Sequence, residues 1–130
     1  EGDPEIHFWA LGDMIPLAMA AAERVEHRTR KRPTVTNARF IRPLDVARLR
    51  RQAERARLFA FFENGVVTGG FGTLAAGELW EAGYRGEILR FGWPQRFIEQ
   101  GRPADLFTRY GLTPDAVADA VIRRLGGGER

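Results

Sequence analysis

The sequence predicts an α/β fold with three layers, helices on both faces of a mainly parallel sheet. Three observations predict it. Short apolar runs alternate with longer segments of helical periodicity, the pattern of strand–helix–strand units. The runs IHFWAL (6–11), LFAFF (58–62) and EILRF (87–91) are nearly continuous in apolar character, as strands buried on both faces are. Each run is followed by a turn signal: Gly12-Asp13, Glu63-Asn64-Gly65 and Gly92-Trp93-Pro94.

The elements follow in order. Residues 6–11 form the first strand, too short for a helix and stopped by Gly12-Asp13. Residues 14–27 form a helix, with Leu17, Ala21 and Val25 on one face and Pro16 in the first turn, where its missing N–H costs nothing. Thr34, Val35 and Thr36 are β-branched and place a second strand at 34–38. Asp45 caps a helix through Ala56 whose inner face carries Val46, Leu49 and Ala53. Residues 58–62 form the third strand, 72–82 a helix closed by Gly83, and 87–91 the fourth strand. A short helix at 104–110 and a last helix capped by Thr113-Pro114 follow. The last helix turns Ala118, Val121, Ile122 and Leu125 inward, and GGGER (126–130) is a frayed tail. Right-handed crossovers then make order 2-1-3-4 the simplest sheet. At 130 residues the chain is read as one domain, 1–130.

Composition excludes several classes of function. There is no cysteine, hence no disulfide, thiolate nucleophile or thiolate metal site. No serine occurs either, and His7 and His27 have no metal-ligand spacing, so no catalytic residue and no metal ligand is assigned; both histidines are read as solvated or interface residues. No apolar run approaches the roughly 20 residues of a membrane span. The first residues, EGDPEIHF, carry no secretory signal pattern. The expected compartment is the cytoplasm, and no membrane partner is expected. The net charge is +3, and arginine clusters at 27–32 and 48–55. Those clusters sit at a helix C-terminus and on a solvated helix face, with no interleaved aromatic for base stacking, so no nucleic-acid partner is expected.

The stretch ENGVVTGGFG (63–72) is the feature most suggestive of a ligand. Neither phosphate fingerprint fits it: no lysine lies nearby, and Glu63 opposes a phosphate. It reads better as a turn whose glycines permit close packing. In a sheet of this order, the loops after the first and third strands flank the switch point. Gly12, Asp13, Glu63, Asn64, Gly69, Gly70 and Gly72 are therefore candidates for a crevice or an interface. Arg39 and Arg42, just past the second strand, join them as candidates for an interdomain pair. Asp13 and Glu63 are paired carboxylates that could do acid–base work across that switch point, but nothing else nearby would bind a substrate.

NARFIRPLD (37–45), ENGVVTGGFG (63–72) and FGWPQRFIEQG (91–101), in this order and spacing, resemble the C-terminal domain of the 1-deoxy-D-xylulose 5-phosphate synthases, within the wider transketolase C-terminal domain family. WALGDMIPLAMAAAERVE (9–26) and YGLTPDAVADAVIRRL (110–125) extend the resemblance over nearly the whole chain. Departures fall at Asn64, Gln95 and Gln100, where the family usually carries Asp or Glu, Asp and His. The resemblance implies a transketolase C-terminal-domain-like fold and a parent enzyme that uses thiamine diphosphate and Mg2+ to join pyruvate to glyceraldehyde 3-phosphate. It also implies that this chain holds no cofactor-binding residue itself. The family's Gly-Asp-Gly metal-diphosphate motif is absent, Gly12-Asp13 being followed by Met14. The implied partners are the cofactor-binding domains of the parent enzyme, or a second copy of the chain in a dimer. In the family an antiparallel strand precedes the first run and lies on the sheet edge; four strands are expected here, with a covering contact on 34–38. Two alternatives stay open. One is a stand-alone subunit of a split transketolase-like or 2-oxoacid dehydrogenase β-subunit-like enzyme. The other is a regulatory module binding a small ligand in the switch-point crevice.

Overall fold

The computed structural model describes residues 2–38, 44–66, 70–93 and 111–127. The elements are β1 (Asp3–Ala10), a single 3-10 turn (Gly12–Met14), α1 (Ile15–Thr29), β2 (Pro33–Asn37), α2 (Val46–Ala53), β3 (Leu58–Val66), α3 (Phe71–Glu81), β4 (Glu87–Trp93) and α4 (Pro114–Gly127). The four strands form one sheet in the order β2-β1-β3-β4, and every neighbouring pair is parallel. The helix expected at 104–110 lies outside the described residues.

Strand alternation splits the core into two layers. Ile6, Phe8, Ala10, Leu58, Ala60 and Phe62 face α1 and α4, where they meet Met14, Ala18, Ala21, Ala22, Val25, Val117, Ala118 and Val121. Trp9, Phe59 and Phe61 face the other way, onto Leu49 of α2 and Phe71, Ala75 and Leu79 of α3. Burial on both faces explains why these strands read as unbroken apolar runs. Alanines on α1 let that helix approach the sheet closely. Phe8 and Phe62 pack at 5.1 Å, and Phe62 stacks on Phe91 at 5.1 Å, carrying the layer across to β4. The Trp9 indole donates to Gln52 Oε1 at 2.8 Å, so the polar tip of a buried ring is satisfied from α2.

Several element ends differ from the sequence reading. β1 begins at Asp3, because the Asp3 N–H reaches Arg32 O at 2.7 Å and Asp3 pairs with Pro33 ahead of a register shift. α1 ends at Thr29 with Arg30 left-handed (φ 68°), its N–H closing on Glu26 O at 2.7 Å. α2 stops at Ala53; the Glu54 and Arg55 N–H groups turn to Arg51 O and Gln52 O, tightening the last turn. β3 runs on to Val66, which pairs with Trp93, where a loop from Glu63 was expected. α4 continues through Gly127 rather than fraying at Gly126, with Arg57 Nη2 donating to Leu125 O at 3.1 Å. The expected caps are present: Asp45 accepts from the Arg48 N–H at 3.1 Å, and Thr113 Oγ1 accepts from the Ala116 N–H at 3.2 Å. Gly83 is left-handed (φ 86°), and the Tyr84 N–H returns to Leu79 O at 2.9 Å.

Candidate functional site

Because all four strands are parallel, their carboxyl ends share one edge of the sheet. Of the sequence-predicted candidates, Gly12 and Asp13 follow β1, Glu63 and Asn64 lie near the end of β3, and Gly70 and Gly72 stand at the start of α3. Arg39, Arg42 and Gly69 fall outside the described residues. Asn64 lies within β3. Gly12 is left-handed (φ 60°) and exposed in the turn after β1, and Asp13 beside it is exposed. The Leu11 N–H donates to Phe62 O at 3.0 Å, which ties that turn to the end of β3.

The centre of this edge is Glu63. Its side chain is only 6% exposed. Oε1 accepts the Phe71 N–H at 2.8 Å and Oε2 accepts the Gly72 N–H at 3.1 Å. Both oxygens of one carboxylate thus satisfy two N–H groups in the first turn of α3, at the positive end of its dipole. Charge-assisted bonds of this kind hold about 1.5–3 kcal/mol each. Gly70 makes the approach possible: a β-carbon there would stand 2.6 Å from Glu63 Oε2 and closer still to Oε1. A β-carbon on Gly72 would stand 3.1 Å from Arg90 Cδ and 3.4 Å from Glu63 Oε2. The Arg90 stem therefore lies over the first turn of α3, and its guanidinium donates to Thr73 Oγ1 at 2.9 Å. The glycines admit a protein carboxylate and an arginine stem.

Sequence reasoning placed Glu63 and the glycines on this edge but missed Arg90, whose signal is a lone cation in the apolar strand EILRF. It also misplaced one histidine. His27 is exposed in the last turn of α1, as expected. His7 is instead buried, its ring stacked on Phe59 at 5.4 Å and its Nε2 paired with Pro4 O at 2.8 Å. With Nε2 donating to that carbonyl, Nδ1 carries the lone pair and has no hydrogen-bond partner. Burial holds the imidazole pKa below its usual range. His7 lines a groove of about 750 Å³ along the free edge of β2, together with Pro4, Thr34, Arg48, Arg51 and Gln52.

Bound thiamine diphosphate is held through a divalent metal on its phosphates, and such a metal takes several oxygen ligands. Among the described residues, no three His, Asp or Glu side chains come together in a way that would hold one. The Phe71 and Gly72 N–H groups at the start of α3, where a phosphate would be cradled, are already bonded to Glu63. The described residues therefore do not fit the cofactor. No described helix is long and apolar enough to cross a membrane.

Comparison with known proteins agrees with this architecture. The family model for the transketolase C-terminal domain matches residues 1–117. The 1-deoxy-D-xylulose-5-phosphate synthase of Acidobacterium capsulatum is 36% identical over 121 residues, 93% of this chain and 19% of the relative. That of Pelotomaculum thermopropionicum is 40% identical over 121 residues, 92% of this chain and 19% of the relative. A solved split-gene transketolase, described as an inactive β4 tetramer, superposes with a TM-score of 0.84 at 28% identity, covering 97% of this chain and 40% of its own. The chain thus spans about a fifth of the length of the curated relatives it matches. By family match, strand order and sequence identity alike, the chain belongs to the transketolase C-terminal domain family.

Proposed function

We propose that residues 1–130 are one domain, the C-terminal domain of a thiamine-diphosphate-dependent enzyme of the 1-deoxy-D-xylulose 5-phosphate synthase type. In this reading the parent enzyme joins pyruvate to glyceraldehyde 3-phosphate with loss of carbon dioxide, in the cytoplasm, as a step toward isoprenoid precursors. The single observation that carries the reading is the identity of 35–40% to synthases over 85–93% of this chain, confined to a fifth or less of their length. The domain itself performs no chemistry. Thiamine diphosphate supplies the carbanion chemistry when bound to the other domains, and this chain supplies a rigid wall. In this reading Gly12, Asp13, Asn64, Gly69, Gly70 and Gly72 belong to the carboxyl edge that meets a neighbouring domain or subunit, Glu63 holds the start of α3 behind it, and Arg39 and Arg42 are the candidates for an interdomain pair.

A second reading has its own support. The split-gene transketolase shows that a fold of this kind occurs in an enzyme divided between chains. This chain would then be a subunit that assembles with a separate cofactor-binding chain.

Association tests both. A chain comprising the thiamine-binding domains of a relative synthase, mixed with this protein, is expected to co-elute with it as a stoichiometric complex. Gly70→Trp should abolish that complex. If a folded Gly70→Trp variant binds as well as the wild type, the carboxyl edge is not the contact.

A further inference from the structure

We propose that Glu63 is the resident anion of the α3 N-terminus, and that it closes the Phe71 and Gly72 N–H groups to phosphate-bearing ligands. This inference does not rest on the enzymatic reading above; it concerns only what the carboxyl edge of the sheet can bind.

A glycine-rich turn between a strand and a helix, with bare N–H groups at the helix start, is the usual architecture of a phosphate cradle. This chain has the strand, the glycines and the helix, yet the cradle is filled from within. Glu63 leaves β3, passes the bare α-carbon of Gly70 and places one oxygen on each of the Phe71 and Gly72 N–H groups. The carboxylate is buried, so an incoming phosphate would have to displace it into an apolar surround or share two donors with it. Arg90, whose stem lies over the first turn of α3, is engaged with Thr73 Oγ1. A nucleotide or sugar phosphate therefore meets a like charge where its kin elsewhere meet free donors. Gly70 and Gly72 serve the internal carboxylate, which makes Glu63 a positioning residue for the first turn of α3.

Removing the carboxylate should uncover the donors. Glu63→Ala deletes from the side chain a fragment equivalent to acetate, so acetate is the matched probe. In the wild type, neither inorganic phosphate nor acetate should shift the Phe71 and Gly72 amide resonances in a saturable way. In Glu63→Ala, acetate should shift both amides saturably and raise the Tm by roughly 3 °C at saturation. Glu63→Gln covers the case in which the alanine variant does not fold: its neutral amide keeps the shape, and exchange of the Phe71 and Gly72 amides should quicken roughly tenfold with the loss of charge. Saturable phosphate binding at those amides in the wild type overturns the proposal. So does a folded Glu63→Ala that ignores acetate, or a Glu63→Gln that exchanges as slowly as the wild type.

Discussion

Gly70 and Glu63 are packed as a matched pair: the space a β-carbon would take on Gly70 is occupied by the Glu63 carboxylate. Gly70→Ala is therefore expected to cost about 2–3 kcal/mol, through steric displacement and weakening of two charge-assisted bonds. Gly72→Ala should cost about 1 kcal/mol, because the nearest atom belongs to the flexible Arg90 stem. Gly77, in the middle of α3, has open space where its β-carbon would stand, so Gly77→Ala should stabilise by about 0.5–1 kcal/mol through helix propensity. Urea unfolding of the three variants checks the order. Equal effects at Gly70 and Gly77 would contradict the packing argument.

His7 predicts a pH dependence of stability. Burial depresses its folded pKa below the ordinary 6.5 of a histidine. The unfolded chain thus binds a proton that the folded chain resists, over the interval between the two values. The favourable contribution is complete above about pH 6.5 and is lost as pH falls toward the folded pKa. Carboxylates titrate lower in the same curve, so the informative quantity is the difference between wild type and His7→Phe. That difference should change as pH falls below about 6.5 and be flat above it. A difference that is flat throughout would show that the ring is solvated.

Arg30 closes α1 from the left-handed region without being glycine. Arg30→Gly should relieve about 1 kcal/mol of backbone strain. The side chain is exposed, so thermal unfolding reads the backbone effect with little loss of contact. A drop in Tm would show that Arg30 has a compensating interaction.

α1 and α4 are laced by Arg24–Asp115 at 2.9 Å and Arg28–Asp119 at 2.6 Å, pairs spaced by one helical turn on both helices. All four side chains are largely exposed, so each coupling should be at most about 1 kcal/mol and should shrink in salt. Double-mutant cycles at low and high ionic strength measure it. The apolar seam of Ala18, Ala21, Val117 and Val121 carries the contact, and Val121→Ala should cost more than either ion pair, about 1–3 kcal/mol.

β1 and β3 were legible because strands buried on both faces leave apolar runs, β2 was legible through its β-branched residues, and the helix ends were legible because Asp45, Gly83 and Thr113 cap by local rules. Contacts made at a distance were not legible. Asp3-Pro4-Glu5 reads as a turn, yet main-chain bonding to Arg32 draws it into β1. Glu63 caps a helix that begins eight residues later, across the strand end and the turn, where capping rules look only at adjacent positions. His7 follows the apolar Ile6 and precedes Phe8, but its burial depends on Phe59 and α2, which sequence alone does not place. For the same reason the contact of Arg90 was not legible in EILRF, although its stem rests on α3.

Carbon dioxide release from pyruvate in the presence of glyceraldehyde 3-phosphate, thiamine diphosphate and Mg2+ tests the central claim most directly. The purified 130-residue chain should release none. It should restore release when added to a chain carrying the cofactor-binding domains but lacking this one. Turnover by the chain alone, or a cofactor-domain chain whose rate is indifferent to its addition, would contradict the account.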